Sequence, residues 1–352
     1  MAGEVHLVEA EFLRRLCARL FESIGVPEEE AIVIADNLVD ADLKGNESHG
    51  VSRVGIYLKR LRLKLVKPVA RLEVIAESPG TALCDACNSM GAVGASKAME
   101  LAIKKARQSG MSFVTVRNSN HYSAASYFAQ MALPHGMIGF TASNGPPRMA
   151  PWGGTDPHFG TDPFAVAIPA GRQLPIIADM ATCVVARGKI IMAAKKGEPI
   201  PLGWARNADG EDTADANEAL AGTVLPFAGP KGYAIATVIE VLTGILSGSR
   251  FTRGINDMYA NFENPSFTSH YFGALNVEAF SSLAEFAESM DRFIVGVKAN
   301  TLAKGAREIY LPGEIELRLK EARLKNGIPV SPIVFSELRE EAETAGVAWN
   351  LD

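Results

Sequence analysis

The run Ser48-His49-Gly50-Val51-Ser52-Arg53 follows the break Gly45-Asn46-Glu47 and continues through Tyr57 to about Leu63. The spacing predicts one helix N-capped by Ser48. His49, Arg53 and Tyr57 then lie four residues apart on one face, and Val51, Val54, Leu58 and Leu61 form a separate apolar stripe. These three polar types suit reduction of a small 2-oxo acid. An imidazole titrates in the range needed to protonate a developing alkoxide. A guanidinium grips a carboxylate through two parallel hydrogen bonds and so orients the carbonyl beside it. A phenol adds a hydroxyl to hold the substrate. A solvated helix face with a chance histidine has the same spacing, so this segment alone leaves both readings open.

Val114 to Ala125 reads as a strand, a polar turn through Asn118, Ser119, Asn120, His121 and Tyr122, and a small-residue helix start at Ser123, Ala124 and Ala125. Backbone N–H groups at such a start suit a phosphate; a locally satisfied turn is the plain alternative. Dense Gly and Pro from Asn144 to Gly154 and in Gly160-Thr161-Asp162-Pro163 set a particular loop path. Asp179, followed by Met180 and Ala181, ends a β-rich run before Arg187 and Gly188. It suits either a ribose acceptor or a cap for the next helix. The chain lacks G-x-G-x-x-G and G-x-x-x-x-G-K-[ST], so its residues leave the cofactor open. Cys84-x-x-Cys87 has no second pair, and no H-x-x-x-H occurs, so no metal site is expected and a metal-dependent hydrolase is disfavoured.

These groups need a scaffold, and 352 residues with 47% hydrophobic and 21% charged composition suffice for two globular units. Residues 8–44 have helical periodicity, with Phe12, Leu16, Leu20 and Ile24 spaced by four and Pro27 opening a second run. Short β-rich runs follow at 70–76, 81–85, 113–117, 138–142, 164–169 and 174–179, with helices at 90–110 and near 122–133. Residues 231–246 read as a buried apolar helix, 278–298 and 314–326 as further helices. The expected fold is α/β with a mixed sheet. Thirty-five basic against 40 acidic residues, interspersed, leave no footprint for nucleic acid. No apolar stretch reaches the ~20 residues of a membrane span. The opening residues do not resemble a secretory signal, and four cysteines need no disulfide framework, so a cytoplasmic protein is expected.

Taken in order, SHGVSR (48–53), VRNSNHYSAASY (116–127), PPRMAPWGG (146–154), GTDPFAVAIP (160–169), DMATCVVARGKI (179–190), IPLGWA (200–205), PKGYAIA (230–236) and LPGE (311–314) resemble the malate/L-lactate dehydrogenase family. That family also holds ureidoglycolate, sulfolactate, diketogulonate and piperideine-2-carboxylate oxidoreductases and is unrelated to Rossmann-type lactate dehydrogenases. The resemblance implies a non-Rossmann three-layer α/β/α fold. Residues 1–75, rejoined by 276–352, would form a helical substrate and dimer unit, and 76–275 a unit binding NAD or NADP. It implies a homodimer acting on a small 2-hydroxy or 2-oxo acid, with His49 as general acid assisted by Ser48, and Arg53 and Tyr57 on the substrate. His121 to Ala125, Thr161, Asp179 to Ala181, Arg187, Gly188, Lys231 and Pro312, Gly313 and Glu314 would contact the cofactor. In ureidoglycolate dehydrogenase the histidine matching His121 is the proton acceptor, so His121 rivals His49. His49 is favoured because its own segment supplies Arg53. Lys189 stands where cyclic-imine reductases place an aspartate, which favours an open-chain acid over a cyclic imine. Ser123 and Ser126 replace glycines common in relatives. A catalytically silent binding protein of the same fold is the alternative, but both His49 and Arg53 are present.

Overall fold

The computed structural model describes residues 5–349. The chain opens with β1 (His6–Val8), α1 (Ala10–Glu22) and α2 (Glu28–Leu43). Phe12, Leu16 and Leu20 are buried at helical spacing. Ile24 falls beyond α1, where Gly25 turns the chain at a φ of 90°. Pro27 precedes α2, whose first turn carries Glu28, Glu29 and Glu30 at its positive end.

The single helix expected from Ser48 is instead broken into two 3₁₀ turns, Glu47–His49 and Val51–Arg53, followed by α3 (Val54–Arg62). The physical cause is Asp42 at the end of α2, whose Oδ2 accepts the Val51 N–H at 2.7 Å and pins the chain between the turns. Ser48 caps no helix; its hydroxyl bonds the side chains of Asn46 and His49.

The sheet follows: β2 (Glu73–Glu77), β3 (Thr81–Asp85), α4 (Gly91–Ser109), β4 (Phe113–Ser119), α5 (Ala125–Gln130), β5 (Met137–Ser143), β6 (Phe164–Ile168) and β7 (Ile176–Met180). Next come α6 (Arg187–Lys196), β8 (Ala205–Arg206), α7 (Ala216–Ala221), β9 (Thr223–Val224), α8 (Pro230–Glu240) and β10 (Thr268–Asn276). Seven strands pair in the order β2-β3-β4-β10-β5-β6-β7, all neighbours antiparallel except β3 and β4, which α4 joins as a crossover. The mixed α/β architecture expected is therefore present, and α4 and α5 pack on its strands.

Central strand β10 went unread because Thr268–Asn276 shows no clean alternation. It is enclosed between β4 and β5, and most of its residues are buried whichever way they point. Gly273 interrupts its apolar run for a steric reason: a Cβ there would lie 2.0 Å from the Phe140 ring.

The C-terminal elements are α9 (Leu283–Lys298), α10 (Glu314–Asn326), β11 (Ile328–Val330) and α11 (Pro332–Ala345). Strand β11 pairs antiparallel with β1, α11 packs on α1 and α3, and α10 packs on α2. Helix α9 departs from the helical unit to which the sequence reading joins it. Its Asp291 accepts the N–H groups of Gly171, Arg172 and Gln173 in the β6–β7 turn.

The expectation of a buried helix at 231–246 is also corrected. After α8 the chain makes a π-helical turn, Val241–Ile245, and Val238, Val241, Ile245 and Leu246 are 43–56% exposed. Among the described residues no helix is long and apolar enough to cross a membrane.

Candidate active site

Two histidines from distant segments meet. The His49 and His121 ring centroids lie 5.6 Å apart, tilted by 32°. His49 arrives on the first 3₁₀ turn; His121 sits in the turn between β4 and α5. The helix face that was to align His49, Arg53 and Tyr57 does not exist across Gly50, yet the three still gather because the two turns feed directly into α3.

Each imidazole is oriented through Nδ1. His49 Nδ1 lies 3.1 Å from Asn46 Oδ1, a pure acceptor, and 2.9 Å from the Ser48 hydroxyl. His121 Nδ1 lies 2.6 Å from the Tyr57 hydroxyl and receives the Ser123 N–H at 3.3 Å. These partners assign opposite tautomers. Donation to Asn46 puts the His49 proton on Nδ1 and leaves Nε2 with a free lone pair. Acceptance from Tyr57 and Ser123 puts the His121 proton on Nε2.

Burial and the neighbouring Arg53 cation lower His49 to about 4. Burial, His49, Arg53 and His270 hold His121 well below the ordinary imidazole range. Burial pushes the Tyr57 phenol up, so it remains a neutral donor.

Arg53 is half-buried with no carboxylate partner among the described residues, and its Nε is buried without a hydrogen bond. Its guanidinium stands 5.1 Å from the centre of the Tyr259 ring. Arg60, one face round α3, donates to the carbonyls of Met258, Asn261 and Asn264 at 2.8–3.2 Å and so staples that loop in place. Arg148 of the PPRMAPWGG segment pairs with Asp257, whose other oxygen accepts the Tyr259 N–H at 2.7 Å. A cavity between α3 and this loop is lined by Tyr57, Arg60, Asn120, His121, Met258 and Ser266, among others.

Beneath the site, His270 on β10 is fully buried, bonded to Ser119 and Ser143 at 2.9 Å each and stacked on Tyr122 at 4.5 Å. Tyr122 thus serves as packing behind His121. Sequence reasoning missed Asn46, Asp42, Tyr259 and His270. The Asn46-Glu47-Ser48-His49 proximity was a usable signal for the first; Asp42 is also near but on the preceding helix, and Tyr259 and His270 come from elements far away in sequence.

The remaining expected contacts are distributed along β7 and the segments after it. Thr182 donates its N–H and hydroxyl to the Thr161 carbonyl at 2.8 and 2.9 Å, and Ile177 donates to the Pro312 carbonyl at 2.9 Å. Gly313 packs so close that a Cβ would lie 2.7 Å from Ile177. Glu314 is held by Lys298 at 2.7 Å. Asp179 does not cap α6. Its Oδ2 accepts the Ser126 N–H at 2.9 Å in the first turn of α5, the helix start for which a phosphate and a locally satisfied turn were both open readings. Ala124 and Ala125 are buried there. Met180 is 43% exposed, Lys231 is exposed with no ion pair among the described residues, and Arg187 is partly buried beside Gly188.

The family model for malate/L-lactate dehydrogenase matches residues 8–339. The chain belongs to the malate/L-lactate dehydrogenase family. It is 40% identical to a malate dehydrogenase of Pyrococcus abyssi, covering 94% of this chain and 92% of that one. It is 39% identical to an L-sulfolactate dehydrogenase of Methanocaldococcus jannaschii over 97% and 98% of the two chains. The solved sulfolactate dehydrogenase structure from that organism superposes with a TM-score of 0.92 over 98% of both chains. A ureidoglycolate dehydrogenase (NAD(+)) of Escherichia coli is 32% identical over 95% of each.

Proposed function

We propose that this family member is an NAD(P)-dependent oxidoreductase interconverting a small open-chain 2-hydroxy acid and its 2-oxo acid, with His49 exchanging the proton. The observation that carries this reading is the Arg53 guanidinium, unpaired among the described residues, beside two imidazoles each held through Nδ1. An acid whose carboxylate engages Arg53 places its C2 oxygen toward the histidines.

The groups along and beyond β7 suit a dinucleotide. Exposed Met180 offers an apolar surface to a ring, Lys231 and Arg187 offer cations to phosphates, and Thr161, Ala181 and the Pro312–Glu314 loop bring backbone close. When bound, the nicotinamide supplies or accepts the hydride.

The chain's own residues do the rest. In oxidation, the His49 Nε2 lone pair takes the hydroxyl proton; in reduction, protonated His49 returns it, with Asn46 and Ser48 holding the ring. His121, fixed by Tyr57, donates its Nε2–H to the same oxygen. Carboxylate binding also offsets the Arg53 charge that depresses His49 and so raises its affinity for a proton.

A homodimer is supported by the apolar exposed strip Val238, Val241, Ile245 and Leu246. Free thiols at all four cysteines suit the cytoplasm. The deciding assay supplies oxaloacetate, pyruvate, sulfopyruvate and oxalurate in turn with NADH and with NADPH and follows nicotinamide absorbance. Turnover of at least one acid is expected. No turnover, with no cofactor binding by calorimetry, would favour a silent binding protein instead.

A further inference from the structure

Ser123 has a φ of 67°, in the left-handed region that costs a side chain but not glycine. It is nearly fully buried, at 3% exposure, so water does not compensate its placement. What it gains is two bonds to the two histidine segments. Its hydroxyl donates to the His49 carbonyl at 2.6 Å, and its N–H donates to His121 Nδ1 at 3.3 Å. His49 and His121 lie on separate elements 72 positions apart, and Ser123 is the residue that bonds to both.

We infer that Ser123 is a positioning residue which ties the His49 turn to the His121 turn and sets the distance between the two imidazoles. The tie is needed because the His49 segment is otherwise held from one side only. Asp42 grips Val51, Asn46 grips the ring and Arg323 of α10 grips Glu47, all from the helical side of the site. Without the Ser123 hydroxyl, the His49 turn keeps its own local bonds but loses its hydrogen bond to the β4–α5 turn. A residue kept in strained backbone for its contacts fits a site where geometry matters more than stability.

This inference rests on the proposed reading of His49 and His121, and two variants test it. Ser123→Gly removes the hydroxyl and relieves the backbone strain; Ser123→Ala removes the hydroxyl and keeps the strain. Although Ser123 falls in the expected cofactor segment, its hydroxyl and N–H are spent on the histidine segments, so both variants are expected to lower kcat about tenfold while the NADH dissociation constant, measured by fluorescence titration, stays within about twofold of the parent. The melting temperature should separate them, with Gly at or above the parent and Ala below it. Lower turnover in a protein of equal or greater stability is a result that a merely structural serine would not produce. Parental kcat in Ser123→Gly, or a loss accounted for by weaker NADH binding, would overturn the inference.

A second readout does not need an active enzyme. Titrating the imidazoles by NMR, the His49 ring of Ser123→Gly should move up by at least about half a pH unit as its turn opens to water. An unchanged titration would overturn the tie even if turnover fell. A parent that reduces no 2-oxo acid would sink the proposed function and leave this readout to judge the tie.

Discussion

At the scale of residues, the site uses one cation for two purposes. Arg53 offers a grip for a carboxylate and, while unpaired, adds to the burial that keeps both histidines neutral. The free enzyme should therefore titrate lower than the enzyme carrying its acid. In the oxidation direction kcat/KM should rise with pH through about 4, the free His49 value, and level off. The pH dependence of kcat should show a higher apparent pKa, because substrate carboxylate cancels the Arg53 charge. Equal values from the two profiles would contradict this coupling. Arg53→Gln is expected to raise KM for the acid on the order of a hundredfold. It should also move the kcat/KM transition upward, since a repelling charge has gone. A rise in KM with no movement of the transition would separate Arg53 from His49.

At the scale of elements, the buried carboxylate of Asp42 shapes the catalytic turn. A Cβ on Gly50 would lie 1.9 Å from Asp42 Oδ1, so Gly50→Ala must displace the grip on Val51. We expect a loss of about 1–3 kcal/mol by chemical denaturation and a parallel fall in turnover. Full stability and activity would show that the turn does not depend on this contact. Burial raises Asp42 from 3.8 to about 7. Its folded carboxyl keeps a proton that the unfolded chain has lost, so its stabilisation is complete below 3.8 and disappears as pH rises through about 7. His49 and His270 act in the opposite sense, since their lowered values cost stability as pH falls below 6.5. Above 6.5 the histidines are neutral in both states, and the decline belongs to acids such as Asp42 and Glu240, itself raised to about 7 by burial. Asp42→Asn keeps an acceptor for Val51 without a charge. It should shrink the fall in melting temperature between pH 6.5 and about 8; an unchanged fall would remove Asp42 from the account. The element scale is also where sequence reading was strongest and weakest. Apolar spacing placed α1, α2 and α4, and β-rich runs placed β3 to β7, because their apolar residues recur at helical spacing or in short β-branched runs. The β10 strand and the break at Gly50 were illegible. One is enclosed on both sides, and the other depends on a carboxylate eight residues earlier. Motif residues His49, Arg53, Tyr57 and His121 were legible as types, but the Tyr57–His121 bond spans 64 positions and no local pattern announces it.

At the scale of the whole molecule, N-terminal helices joined by α10, β11 and α11 bring His49 against a sheet that brings His121, so the site lies where the two meet. The apolar strip on α8 and its π turn is the largest departure from the expected burial. If it is a dimer face, Val241→Glu with Ile245→Glu should convert a dimer to a monomer in sedimentation; an unaltered mass would place the dimer contact elsewhere. The measurement that tests the central claim is single-turnover oxidation of NADH by the preferred 2-oxo acid across pH in His49→Ala and His121→Ala. The account predicts that His49→Ala loses about 10²–10⁴ in rate and its pH dependence. His121→Ala should be slower yet keep the pH dependence set by His49. Retained, pH-dependent hydride transfer without His49, together with its loss without His121, would contradict the account and exchange the two roles.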